Sequence, residues 1–382
     1  MVDYEDSSQL NLWMFEPEQL ETCRERANRE ARVFLTAPLS VDTAADSDTK
    51  PTPPVHSFAA GYAKQPQDME TDGNVPSENA KGHEFVTPQE ESLLIAFYAS
   101  RLPSLIGPLA QVPRLRRDAK VTATAALLFR RFFLSNSVML WDPKAIMVAA
   151  AFLGSKVEDA TSDVRYLEEG TKLMNAPVTL AEIIPAELAL VSGINFDLLC
   201  FHPYKAVLAF TEDLRTYLKS EKGRSLAHFQ NGEDRPVVGQ DLKPMHDMAR
   251  KMIDDAIVSD VPLLYSPGQV GLAALMVAND ELQKDSNANV PNIDLLGYIQ
   301  QRFDGKMNPE YMKETMYNLC SMLKSLKEGW YGCGNHNVDL TALKAVHKKL
   351  KKCRLWGKSS KNKKRKNGGE DEPEAKKAKT SA

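Results

Sequence analysis

The sequence predicts an all-α protein: two tandem five-helix units with flanking N- and C-terminal helices. Three observations carry that prediction. Apolar residues recur at helical rather than alternating spacing through most of the chain, and no strand pattern of comparable strength competes. Helix starts are marked repeatedly by a capping residue followed by proline, as at Asp142-Pro143, Ser266-Pro267 and Asn308-Pro309. Finally, the segment Asp142-Pro143-KAIMVAAAFLGSK matches Ser266-Pro267-GQVGLAALMVAND in punctuation and apolar character, 124 positions later. A duplicated helical unit explains that match.

The elements follow in order. Residues 1–35 form an N-terminal helical segment, with a charged helix over Glu16–Leu35 and Trp13 and Phe15 ahead of it as anchors. Residues 36–84 turn to Pro, Ser, Thr, Asp, Gly and Ala; such a stretch buries too little surface to offset its ordering entropy and is expected to be a disordered linker. The first unit, 85–200, opens at Thr87-Pro88. Asp118 caps a helix carrying Val121, Ala125, Leu128, Phe129 and Phe132. The next, Pro143–Ser155, is apolar almost all round and is therefore expected at the centre of its unit. A short polar helix over Asp163–Leu173 and one opened by the Thr179/Glu182 capping box, running toward Gly193, complete the five. In the second unit, 201–330, Pro203 opens a helix to about Lys219 and a polar loop runs to Asp241. Helices follow over Lys243–Val258, from Ser266-Pro267, in one or two shorter pieces, and from Asn308-Pro309 to near Gly329. Residues 339–356, with Leu340, Leu343, Val346 and Leu350 at helical spacing, predict a C-terminal helix, and 357–382 a basic disordered tail.

Composition narrows the function. The 382 residues carry a net charge of −3, which gives no overall pull toward nucleic acid or membrane. Cys23, Cys200, Cys320, Cys333 and Cys353 are scattered without a CxxC, as expected of free thiols in a reducing compartment. No apolar run approaches the roughly 20 residues of a membrane span, and the first residues lack the basic and apolar regions of a leader, so a soluble intracellular protein is expected. The seven histidines form neither HExxH nor a Cys/His ligand set, and no phosphate-cradling glycine loop or GxSxG elbow is present. The pairs Glu168-Glu169 and Asp254-Asp255 sit in polar helical contexts that read as solvated faces. No catalytic residue, metal or cofactor is expected.

Two charges stand out. Lys156 closes the most apolar helix; taken alone, it would merely reach toward water and favour the negative end of the helix dipole. Its counterpart in the second unit, 13 residues after Pro267, is Asp280, so the fold does not require a cation there. Glu187 lies in the apolar context IIPAELALVSGI, where an unpaired carboxylate would cost several kcal/mol. The two either pair with each other or jointly engage a peptide.

The stretch KVTATAALLFRRFFLSNSVMLWDPKAIMVAAAFLGSKVED resembles the first box of the cyclin family, with FLGSKVED at its Lys-plus-acidic end. Three further stretches resemble the H-type cyclins in particular: Trp13–Asn28, LSNSVM at Leu134–Met139, and VSDVPLLYSPGQVGLAAL at Val258–Leu275. The likeness covers residues 10–35 and 85–330. It implies two cyclin boxes and a kinase-binding surface on the first. The family's paired charges map onto Lys156 and Glu187, and its apolar contacts onto Leu153 and Val157, then Val191, Phe196 and Leu198. Core packing alone would also suit those five apolar residues.

The implied partners are a cyclin-dependent kinase catalytic subunit, a RING-finger assembly factor and the core of transcription factor TFIIH, with no membrane and no sequence-specific nucleic acid. The implied role is non-catalytic activation of a kinase that phosphorylates other kinases' activation loops and the RNA polymerase II C-terminal domain. Another transcriptional cyclin, of the C, K, L or T type, is the alternative within the fold. A DNA-binding basal factor of the TFIIB type is a further one, although its N-terminal zinc ribbon and basic boxes have no counterpart here. The linker at Thr36–His83, the loop at Ser220–Asp241 and the WYGCGNHNV stretch near Trp330 depart from the family pattern. Lys361, Lys363, Lys364, Arg365 and Lys366 resemble a nuclear localisation signal, which implies a nuclear protein.

Overall fold

A computed structural model describes residues 3–36, 53–58, 84–229, 231–233, 235–284, 290–302, 308–327 and 340–366. The N-terminal segment holds α1 (Ser8–Leu12) and α2 (Pro17–Thr36). The first unit comprises α3 (Pro88–Ala99), the single turn α4 (Leu102–Leu105), α5 (Ala119–Phe132), α6 (Pro143–Val157), α7 (Val164–Leu173) and α8 (Leu180–Gly193). The second comprises α9 (Pro203–Tyr217), α10 (Glu221–Arg224), β1 (Ala227–Phe229), α11 (Gly239–Ala256), α12 (Val261–Leu264), α13 (Pro267–Leu282), β2 (Pro291–Ile293), α14 (Leu295–Arg302) and α15 (Pro309–Lys327). The helix α16 (Leu340–Lys366) follows. The fold class is all-α, and no helix among the described residues is long and apolar enough to cross a membrane.

The helix starts are where the capping residues put them. Asp118 accepts from the Lys120 N–H and Asp142 from the Lys144 N–H, each at 3.0 Å. Thr87 with Glu90, and Ser266 with Gln269, close reciprocal capping boxes. At α8, Glu182 accepts from both the N–H and the hydroxyl of Thr179 at 2.9 Å.

As expected, α6 is the centre of the first unit: it packs against α3, α4, α5, α7 and α8, every other α-helix of the unit. Its neighbour α5 is still more enclosed, buried at every position but Lys120 and packed against α3, α4, α6 and α8. Its C-terminal Arg130 and Arg131 are drawn inward to ligate backbone and carboxylate groups of the N-terminal segment's neighbours. Gly154 lets α6 lie directly on α5: a Cβ there would stand 3.0 Å from the Ala125 nitrogen. In the second unit α13 packs against α9, α11 and α15.

A small antiparallel sheet, which the helical reading of the sequence omitted, pairs Ala227 with Ile293 and Phe229 with Pro291. Asn279 of α13 fastens it through the N–H and carbonyl of Ile293. Three-residue strands are too short for alternation to register.

Part of the stretch expected to be disordered is ordered. Phe58 is fully buried and stacked on Trp13 with centroids 4.6 Å apart, and its N–H donates to the Gly193 carbonyl at 2.9 Å. The His56 N–H donates to Asn136 at 2.9 Å, and Trp141 donates to the Pro54 carbonyl at 3.0 Å. Average composition hid a single aromatic with a pocket waiting for it. Residues 37–52 and 59–83 lie outside the described residues, as does the stretch around Trp330.

The helix α16 packs on α2 and α3 through Leu343, Val346, Leu350 and Cys353. Its backbone remains helical to Lys366, ten residues past the expected end, so Lys361, Lys363, Lys364, Arg365 and Lys366 lie on a helix rather than in a disordered tail. Lysine is a good helix former and no proline interrupts the run. Residues 367–382 lie outside the described residues.

Candidate functional site

The last turn of α6 and the middle of α8 run side by side, and their two charges meet. Lys156 Nζ lies 2.6 Å from Glu187 Oε1, with the lysine side chain 40% exposed and the carboxylate 14%. The ammonium also sits over the Phe152 ring, 3.8 Å from its centroid. In the free chain such a half-solvated pair contributes little, about 0–1 kcal/mol. Covered by a partner it becomes a desolvated pair, and removal of one member then costs about 3–5 kcal/mol.

The five apolar residues assigned to this surface divide by burial. Leu153 is 6% exposed and belongs to the core, one turn behind the lysine. Val157 and Val191 are half-buried at its edge. Phe196 is 71% exposed on the corner after α8, with Leu198 half-buried two residues on.

Sequence reading missed the larger part of the exposed apolar surface. Leu180, Ile184 and Leu188 form a stripe at i, i+4 and i+8 along the solvent side of α8, with Leu188 68% exposed. The signal was present: a helix reading LAEIIPAELALVSG has more apolar positions than one buried face uses, and Ile183, Ala186 and Leu190 already fill the core side. A contiguous apolar patch beside a fixed ion pair is the signature of a surface meant to be covered.

The end of α6 is braced from behind. Glu158 accepts from Thr124 at 2.6 Å, pairs with Lys120 at 3.4 Å, and lies 3.9 Å from His202 Nε2. His202, together with Thr124 and Lys120, holds its carboxyl down to about 2. The acidic residue of the FLGSKVED stretch thus points inward, tying α6 to α5 and to the start of α9, while the lysine two residues earlier points outward. Among the described residues no cluster of His, Cys, Asp or Glu could hold a metal ion.

Residues 202–354 match the family model of the cyclin C-terminal domain. The chain is 25% identical to Cyclin-H1-1 of Arabidopsis thaliana over 357 residues, 92% of this chain and 89% of that protein. It is 28% identical to Cyclin CCL1 of Saccharomyces cerevisiae over 279 residues, 73% of this chain and 58% of that one. Over most of its length the chain is similar to cyclins of the H type. Cyclin-H of Xenopus laevis agrees, at 25% identity over 63% of this chain and 64% of the frog protein. The cyclin fold is shared with a chain of the CAK complex of Chaetomium thermophilum bound to ATP-γ-S, at a TM-score of 0.62 and 24% identity, over 98% of this chain and all of that one. The matched C-terminal domain takes in the second box and α16 up to Arg354, whereas the ion pair and the apolar stripe lie on the first box.

Proposed function

We propose that this chain is the non-catalytic regulatory subunit of a cyclin-dependent kinase of the CDK-activating type, and that it docks the kinase on the face formed by α6, α8 and the corner at Phe196. The observation that carries the reading is the Lys156–Glu187 ion pair set beside the exposed stripe Leu180, Ile184 and Leu188. The apolar side chains would bury surface on the kinase while the two charges fix its register. Activity in protein kinases requires the αC helix to sit inward so that its glutamate pairs the active-site lysine. A rigid face that binds the inward arrangement better than the outward one shifts the population to it; a swing from 1:99 to 99:1 needs about 5.5 kcal/mol of differential binding.

Similarity to H-type cyclins supports the finer assignment. The kinase so assembled would phosphorylate the activation loops of other kinases and the C-terminal domain of RNA polymerase II within TFIIH, with a RING-finger assembly factor as third subunit. The basic residues from Lys361 to Lys366 support a nuclear location.

The test is co-expression of the full chain with its cognate kinase, comparing wild type with Lys156→Ala/Glu187→Ala in affinity capture and in phosphorylation of a kinase activation-loop substrate. The double variant is expected to fold and to lose most of both activities, because neither charge is left to fix the kinase's register. Equal capture of wild type and variant would move the docking face elsewhere.

A further inference from the structure

The corner that follows α8 holds an expensive conformation. Asn195 and Phe196 are consecutive non-glycine residues with φ of 54° and 59°, in the left-handed region that a bulky side chain rarely enters. Such a pair persists only where its surroundings over-determine it.

Those surroundings are supplied from the far end of the chain. Ser8 Oγ donates to one carboxylate oxygen of Asp197 at 2.8 Å, and the Trp13 indole N–H donates to the other at 2.6 Å. The side-chain amide of Gln9 behaves like a paired strand, accepting from the Phe201 N–H at 2.7 Å and donating to the Phe201 carbonyl at 3.1 Å. From beneath, the fully buried Arg131 guanidinium donates to the carbonyls of Asp197 at 3.4 Å and Leu199 at 3.2 Å, and lies 4.8 Å from the Trp13 ring centre. Residues 197, 199 and 201 are therefore gripped on one side of an extended segment. Phe196 is left projecting from the other end of the grip into solvent.

We propose that α1 and the residue after it are a positioning device for this corner: Ser8, Gln9 and Trp13, with Arg131, hold Asp197 and Phe201 so that Phe196 is presented to the kinase in a fixed orientation. The inference rests on the kinase-binding reading above and adds to it a group of residues that act through Phe196. The N-terminal segment then sets kinase affinity by keeping the left-handed corner formed before the partner arrives, which removes an ordering cost from binding.

Conservative variants separate this from a merely structural role. Trp13→Phe keeps a buried aromatic ring but loses the N–H to Asp197 together with part of the indole's packing on Phe58 and Arg131; Ser8→Ala removes the other hydrogen bond alone; Gln9→Glu keeps the size of the side chain and loses the donor to Phe201. Each is made in the full chain, alone and together with Phe196→Ala, and the dissociation constant for the kinase subunit is measured beside the melting temperature. The expected result is binding weakened by about fivefold or more in the single variants, melting close to wild type, and no added loss once Phe196 is already alanine. Unchanged binding in all three, with Phe196→Ala still impaired, overturns the positioning role and leaves the kinase-binding reading standing. So does a loss that remains fully additive with Phe196→Ala, because the segment would then act elsewhere. If wild type fails to bind the kinase, the functional reading itself falls and this inference with it.

Discussion

Glu91 shows how a single side chain can couple the terminal helices to the first box. Its carboxyl is buried on α3, where Ser137 donates to it, Asn28 of α2 hydrogen-bonds to it, and Arg32 and Arg354 lie within electrostatic reach. Burial outweighs those partners and pushes its pKa from 4.5 up to about 8. The unfolded chain gives up this proton near pH 4.5, whereas the folded chain keeps it to about 8. Between those values the folded state binds the extra proton, so this group's contribution to stability falls as pH rises and levels off above about 8. Glu91→Gln removes the titration while preserving shape and an acceptor for Ser137. Its melting temperature is expected to gain on wild type from about pH 6 to pH 8 and then run parallel; curves parallel throughout that range would mean that Glu91 is ionised in the folded protein.

At the scale of the element, the capping residues make a local and separable contribution. Ser266 closes the reciprocal box at the start of α13, the core helix of the second box, by accepting from the Gln269 N–H at 3.4 Å. Ser266→Ala is expected to lower the free energy of unfolding in urea by about 1 kcal/mol, and Ser266→Asp to recover most of it. These caps are also why so much of the fold could be read in advance: Asp118, Asp142, Thr179 and Ser266 announce their helices within four residues of sequence, because the chemistry is local. What stayed hidden is long-range. Arg130 and Arg131 look like the polar end of an amphipathic helix, and only the folded chain shows that their partners lie in the corner after α8 and in the second box. Phe58 was lost in the average of a polar stretch. At the candidate site, Lys156 and Glu187 could be singled out because each is a charge in an apolar run, and the structure brings them into contact. For Leu180, Ile184 and Leu188 only the surplus of apolar positions on α8 was legible, since nothing in an apolar residue says which side of its helix will be covered.

Across the whole molecule, one carboxylate ties the N-terminal segment and the first box to the second. Asp260, at the start of α12, pairs with Arg24 of α2 at 2.7 Å and with Arg130 of α5 at 2.5 Å, and Arg130 also donates to the Val258 carbonyl. Burial works to raise the pKa of Asp260, but Arg130 and Arg24 outweigh it and hold the carboxylate below its ordinary range. The stability this provides is present at neutral pH and is lost as pH falls through the depressed pKa. Asp260→Ala leaves two guanidiniums facing each other across the junction and is expected to cost about 3–5 kcal/mol. Denaturation followed by separate fluorescent reporters in each box should then show two transitions where wild type shows one. A single transition of unchanged midpoint would deny the junction that importance.

The Arg24–Asp260 contact also has a consequence in time. Its two members are separated by 236 residues of chain. At a synthesis rate of roughly 5–20 residues per second, α2 emerges from the ribosome some 10–50 seconds before the carboxylate that receives it. Arg130 emerges well before that carboxylate too. During translation, therefore, the partners of Ser8, Gln9 and Trp13 are made long before Asp260, while the Arg24 and Arg130 guanidiniums still lack their carboxylate. Arg24 thus closes onto a seat that did not exist when it was made.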